Sequence, residues 1–250
     1  MQPQVLNNEL QPSDAITVGE LAAAFGWSIR FIEGLVRGER LPAEEIDGQL
    51  RFHRDEVVDW LQQKIHILDS AHVSELENRI ESELLDNGTF RTHRSDRLAS
   101  RLPLRGIALD LEIESKTEVL RALVEIAAGT GHLHDRDHLL ASLIDREELC
   151  STALPGGVAI CHPRRPISSS LDRQILCALR TAHPIEFGAE NGEDTQLFFL
   201  HCAPDDRSHL HGLARLARVL HHGGTAAFLA ANDPEHFKET LSYLEAGLSR

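Results

Sequence analysis

Basic charge is what this 250-residue chain has too little of: 25 Lys and Arg stand against 39 Asp and Glu, a formal net charge of −14. The deficit excludes a protein that coats nucleic acid or anionic membrane by charge alone, so any DNA contact has to be local. Cysteine is scarce as well. Cys150, Cys161, Cys177 and Cys202 have no CxxC spacing, and the leader MQPQVLNNELQPSDA lacks the charged-then-apolar layout of a secretion signal. A reducing, cytoplasmic setting is the expectation. No apolar run approaches the roughly 20 residues that cross a bilayer. Internal repeats and low-complexity tracts are absent too.

What is present is a 42% hydrophobic content in a chain longer than the common single domain, enough for two cores. The organisation expected is an N-terminal domain over 14–67, a helical connector and linker over 68–94, and a C-terminal domain over 95–250. Thr17-Val-Gly-Glu20 is a capping box opening a short helix that Gly26 closes. Ser28 caps a second helix, Asp47-Gly48 makes a hairpin before the strand-like Gln49 to His53, and Asp55 opens a third helix. Val73, Leu76, Ile80 and Leu84 then recur at helical spacing before the Asp86-Asn87-Gly88 turn and the polar run TFRTHRSDR. That stripe covers too few turns for a free coiled coil, which leaves packing on a neighbouring domain, the favoured reading, or a dimer contact.

Beyond it, IALDLEI reads as a strand, Ser115-Lys-Thr-Glu118 as a second capping box, and DHLLASLIDREEL as another helix. Strand candidates GVAICH, ILCALR and QLFFLHC follow, with helices beginning near Asp205, Gly224 and Asp233-Pro234. Strands interleaved with helices imply an α/β domain, a mixed sheet covered by helices, beside a small and mainly α N-terminal domain. His132 with His134, and His221 with His222, read as solvated loop residues.

Two stretches carry motifs. ITVGELAAAFGWSIRFIEGLVRGERLPAEEIDGQLRFHRDEVVDWLQQ resembles the excisionase-type, MerR-like winged helix-turn-helix, from its T-V-x-E-x-A opening to a D-x-V-x-x-W-L last helix. The resemblance implies a DNA reader whose helix from Ser28 to Arg37 enters the major groove, with a wing near Gly48 on the backbone. The residues available for contact are Ser28, Arg30, Arg37, Arg40, Arg51 and Arg54, with Lys64 as a further cation. The span is nevertheless rich in acids, and Glu33 and Gly34 stand where the family has a polar or aromatic residue and then a basic one. A winged-helix unit used for protein contacts stays open.

The second stretch, DREELCSTALPGGVAICHPRRP with HPIEFGAENGEDTQLFFLHCAPDDRSHLHGLARLARVL downstream, resembles the enzyme IIA type-2 domain of the phosphotransferase system, the fructose, mannitol and nitrogen-regulatory class. The likeness runs over about 155 residues, nearly a complete domain. It implies that His162 takes a phosphoryl group, with Arg146 nearby and His209 opposite. A ring nitrogen of pKa near neutrality is both nucleophile and leaving group, as a reversible carrier requires. Phosphoryl transfer otherwise needs positioning and charge stabilisation, which a guanidinium and a second imidazole supply, so no cofactor and no metal is expected. The chain departs from the pattern on either side of His162, with Cys161 where the family has proline and with Pro163 following. A zinc site from Cys161-His162 and His201-Cys202 would need adjacent strands, and adjacent pairs lack the usual ligand spacing.

The resemblance implies an HPr-like histidine phosphocarrier as donor, and a regulator in which the phosphohistidine domain is coupled to DNA binding. Two alternatives stay open: a carrier passing phosphate to a sugar-permease IIB component with the N-domain as docking module, and an inactive binding module with the same fold. No IIB-like or IIC-like segment is recognised in the sequence, which points toward regulation.

Overall fold

The structure, a computed structural model, describes residues 15–38, 41–66, 68–86 and 97–248, with the backbone alone at 83–86 and 222. The leader, Arg40 and the turn and polar run after Asp86 therefore lie outside the described residues, as does the Leu84 side chain. The chain divides into two compact units, residues 1–61 and 62–250.

In the first unit, strand β1 (Ala15–Thr17) leads into α1 (Val18–Phe25), and α2 (Ile29–Gly38) follows. The Thr17–Glu20 capping box is formed in both directions, and Gly26 ends α1 at φ 74°, a left-handed conformation open to glycine. Ser28 Oγ accepts from the Phe31 amide, which caps α2. Strands β2 (Glu44–Ile46) and β3 (Gln49–His53) form a hairpin with Asp47 and Gly48 both at positive φ, and β1 pairs on the other edge of β3. The hairpin at Asp47-Gly48 is the one the sequence predicts, and β1 is the strand it does not. Helix α3 (Arg54–Lys64) starts one residue earlier than Asp55. Leu21, Trp27, Ile32, Leu35 and Phe52 are buried in this unit, with Trp27 edge-on to Phe25 and Phe31.

In the second unit, α4 (Ser70–Asp86) carries the stripe of Val73, Leu76 and Ile80, all buried. It packs against the helix Asp206–Val219 of this same unit, so the neighbour is intramolecular. After α5 (Leu98–Arg101), a five-stranded mixed sheet forms from β4 (Ile107–Leu111), β5 (Ala153–Leu154), β6 (Val158–Cys161), β7 (Ile175–Ile185) and β8 (Thr195–Cys202). Its order is β4-β7-β8-β6-β5, with β4/β7 and β6/β8 parallel and the other neighbours antiparallel. Helices α6 (Lys116–Gly129) and α7 (Arg136–Leu149) precede β5, and α8 (Asp206–Val219), α9 (Thr225–Leu229) and α10 (Pro234–Leu248) follow β8. A π-helical turn at Leu220–Gly224 joins α8 to α9. His221 belongs to that turn, not to a loop, and its Nε2 lies 2.7 Å from the His66 carbonyl oxygen.

The two-residue period of a strand sorts side chains between the faces. Ala159 and Cys161 of β6, Cys177 and Leu179 of β7, and Phe198 and Leu200 of β8 join the core made with Leu120, Leu123, Leu139 and Leu143 of α6 and α7. On the other face Phe199 meets Phe228 of α9 and Phe237 of α10. The sheet is thus covered by helices on both sides. By the same alternation His162, one residue past β6, and His201 of β8 fall on the α8 face, while Cys161 points away from them.

Candidate active site

His162 lies at the C-terminal end of β6 and is only 3% exposed. Its Nδ1 is 2.8 Å from the Ile160 carbonyl oxygen. A carbonyl can only accept, so Nδ1 carries the proton and Nε2 keeps its lone pair. That lone pair accepts from Arg146 Nε–H at 3.2 Å. The structure also places His209, in the first turn of α8, with its ring centroid 5.3 Å from that of His162. The three residues singled out by motif, His162, Arg146 and His209, therefore lie together although Arg146 on α7 and His209 on α8 are 63 positions apart.

Burial pushes the pKa of His162 down to about 3, reinforced by the Arg146 charge and opposed by the hydrogen bond to Ile160. The near-neutral value expected from the sequence is thus corrected: the ring is out of water and beside a cation, both of which disfavour the imidazolium. His209 and His201 are held well below the ordinary value by the same burial and by neighbouring positive charge. At neutral pH all three rings are uncharged.

Each residue of the Arg-Glu-x-x-x-Ser-Thr segment has a definable task. Arg146 sits in the last turn of α7, where its Nη1 donates to the Cys150 carbonyl at 2.9 Å, a cation satisfying a helix C-terminus. Buried Glu147 accepts from the Thr152 amide and hydroxyl, at 3.1 and 2.6 Å, and from Lys116 Nζ at 3.0 Å. Ser151 Oγ donates to the Phe187 carbonyl. Sequence reading missed Glu147 and Lys116; the motif's own acid, adjacent to the arginine, was the available signal. The turn between β5 and β6 has Gly156 and Gly157 at φ 88° and 76°, two successive left-handed residues that only glycine adopts without strain.

Cys161 is buried on the opposite face, and its thiol is pushed well up by burial and by Glu147, so it stays protonated. Although β6 and β8 are neighbours, alternation sends Cys161 and Cys202 to one face and His162 and His201 to the other. Among the described residues no group of three or more His, Cys, Asp or Glu is placed to hold a metal ion.

Beside the site runs an open cleft of about 600 Å³. Arg164 and Arg165 line it opposite Asp145, Glu148 and Leu149 of α7, and Leu149 is 57% exposed, an uncovered apolar side chain one turn from Arg146. His134, expected to be merely solvated, is exposed but pairs with Asp172 at 2.6 Å.

In the first unit Ser28, Arg30, Arg37 and Arg54 are exposed and Arg51 is partly covered, with Nη2 donating to Gln49 Oε1. Ser28 spends its hydroxyl on the α2 cap. Lys64 belongs to the second unit, where its Nζ lies 3.5 Å from Glu190, and Arg40 lies outside the described residues.

The fold that carries these residues is similar to that of known proteins. A nitrogen regulatory protein of Bradyrhizobium diazoefficiens is 34% identical over 124 residues, 49% of this chain and 78% of the relative. A fructose-specific EIIA component of the phosphotransferase system from Haloferax volcanii is 28% identical over 122 residues, 48% of this chain and 77% of the relative. The crystal structure of nitrogen regulatory protein IIA-Ntr from Neisseria meningitidis superposes with a TM-score of 0.52 at 26% identity, covering 58% of this chain and 98% of that one. Residues 102–243 match the family described as phosphoenolpyruvate-dependent sugar phosphotransferase system, EIIA 2, and the chain belongs to that family.

Proposed function

We propose that this protein accepts a phosphoryl group on Nε2 of His162 from an HPr-like histidine phosphocarrier, and that its first unit is a winged helix-turn-helix whose DNA binding depends on that phosphorylation. The observation that carries the first half is the state of His162: a neutral ring whose Nδ1 proton is held by Ile160 and whose Nε2 alone is left as nucleophile. Nε2 forms the new N–P bond as the donor's N–P bond breaks, and the donor imidazole leaves with that electron pair. The His162 ring becomes cationic while it keeps Nδ1–H, so the bond to Ile160 strengthens as charge develops. Arg146 Nε–H occupies the attacking lone pair in this structure and turns onto a phosphoryl oxygen for transfer. Donation from His209 adds to that stabilisation. Leu149 and the cleft between α7 and the two arginines are where a donor protein docks.

The relatives divide between nitrogen regulation and sugar transport. Support for regulation comes from the first unit, which the 102–243 match leaves outside. The order β1, α1, α2, hairpin, α3, with a tight Asp47-Gly48 wing, supports reading that unit as a DNA-binding winged helix, α2 entering the groove through Ser28, Arg30 and Arg37. One observation favours protein docking instead: α2 exposes Ile29, 47% accessible, and Gly34 opens onto free space. The IIB component of a permease is the corresponding acceptor under a carrier reading.

The test is incubation with phosphoenolpyruvate, enzyme I and HPr, followed by assay for acid-labile phosphate. Label is expected on the wild type and not on His162→Ala; full labelling of the variant removes His162 from its role. The same phosphorylated and unphosphorylated preparations are then titrated with a genomic fragment library at two salt concentrations. A phosphoryl group adds about −1.5 to −2 charges, so selective binding is expected to weaken on phosphorylation. Absence of selective binding in either state assigns the first unit to protein docking.

A further inference from the structure

We propose that His201 is a positioning residue for His209, fixing the face that His209 turns toward the nucleophilic nitrogen of His162. The proposal rests on the reading of His162 as phosphoacceptor. A histidine that acts in a reaction is normally oriented through its second ring nitrogen, by a carboxylate or a carbonyl. His209 has no such anchor: it is fully buried, and neither Nδ1 nor Nε2 has a hydrogen-bond partner among the described residues. Packing alone fixes its ring. His162 lies beside it with centroids 5.3 Å apart, and His201 lies nearly parallel to it, with centroids 5.6 Å apart and planes at 23°.

Two features hold His201 in turn. The β6/β8 register pairs Cys161 with Leu200, so the next positions along these parallel strands are His162 and His201, on the same face of the sheet. The ring of His201 then reaches α8 at Gly212, three residues after His209. A Cβ at Gly212 would come within 2.3 Å of both Cε1 and Nε2 of His201. Glycine in a helix interior is unfavourable relative to alanine, and here it makes room for an imidazole. His201 is itself only 1% exposed, and its Nε2 also lacks a partner. Strand register, a helix glycine and a stacked ring thus form one device behind the phosphoryl site.

The test uses the full chain, with His201→Ala, which removes the stack, and Gly212→Ala, which displaces the His201 ring without altering either histidine. Side-chain ¹H–¹⁵N correlation spectra report the tautomer and environment of His209, and transfer from phosphorylated HPr gives kcat and KM. Both variants are expected to shift the His209 ring signals and to lower kcat on the order of 10-fold to 100-fold, with KM for HPr unchanged. His201→Phe, which restores a planar ring, recovers both readouts and guards against a variant that merely folds poorly. Unmoved His209 signals in both variants, or an unchanged kcat beside moved signals, overturn the proposal. If the wild type takes no label, the phosphoacceptor reading fails separately and the spectra alone decide the positioning.

Discussion

Arg146 and Glu147 are neighbours in sequence, yet they are directed to opposite sides of the sheet edge and to different tasks. Glu147 ties α7 to Thr152 and to Lys116, so its loss would be felt as stability. Arg146 touches Nε2 of His162, the proposed phosphoacceptor, and its planar guanidinium divides two directions, Nε to His162 and Nη1 to Cys150. A lysine keeps the charge but has no second arm in a fixed plane. Arg146→Lys is therefore expected to slow labelling of His162 by on the order of 10²-fold while the melting temperature changes little. Transfer at the wild-type rate in that variant would mean that positive charge alone is what the site takes from this position.

At the scale of elements, α4 shows what periodicity conveys and what it hides. Val73, Leu76 and Ile80 announced an apolar stripe, but position 77 belongs to the same stripe at the i, i+3, i+4, i+7 spacing, and it is Glu77, 2% exposed. Its carboxylate binds Arg215 at 2.7 Å and also Arg218, both on α8, and Arg215 continues to Glu245 at 2.8 Å, which accepts the Leu98 and Ala99 amides of α5. An acid in an apolar stripe signals partners without naming them, because those partners lie 138 and 141 positions away. The same limit explains the rest of the comparison. Capping boxes at Thr17 and Ser115, the four longer elements of the sheet and the helix starts at Asp205 and Pro234 are local and were legible. Strands β1, β2 and β5 are short and gain their identity from pairing, and the burial that lowers the His162 pKa is a tertiary fact. His201 was visible only as a candidate zinc ligand, since nothing local says which helix its ring will meet. Glu77→Ala leaves two largely covered guanidinium groups short of a counter-charge, and unfolding in urea is expected to show a loss of roughly 3 kcal/mol. A loss near the surface-pair level, below about 1 kcal/mol, would show the network to be dispensable.

At the scale of the whole molecule, buried histidines couple folding to pH. His162 and His211 are brought down to about 3 and His66 to about 4, and His201 and His209 lie well below their ordinary 6.5, burial being the first cause in each. For all five the folded value is depressed, so the unfolded chain binds protons that the folded chain does not. Their stabilising contribution is then complete above pH 6.5 and declines as pH falls toward the folded values. Carboxylates depressed in the fold, Glu20, Asp110 and Glu118 among them, act with the same sign but only near and below their ordinary 4.5 and 3.8. Between pH 6.5 and 4.5 the histidines therefore set the slope. For His162, His211 and His66 this is a loss of roughly 1 kcal/mol each at pH 5.5 relative to neutral pH, and His201 and His209 act in the same direction. An opposing effect exists, because the net charge of −14 shrinks toward the isoelectric point near 5.5 and self-repulsion eases. Salt screens that repulsion and leaves buried rings untouched, so at moderate salt the histidine slope is expected to prevail. Urea unfolding free energies measured from pH 7.5 to 5 should fall steadily, and His211→Gln, which removes one buried titrating ring other than His162 and His209, should flatten the slope by one proton. A flat profile across that range would show that the histidine pocket takes up water and protons without unfolding, and the neutrality of His162 would then have to rest on Arg146 alone.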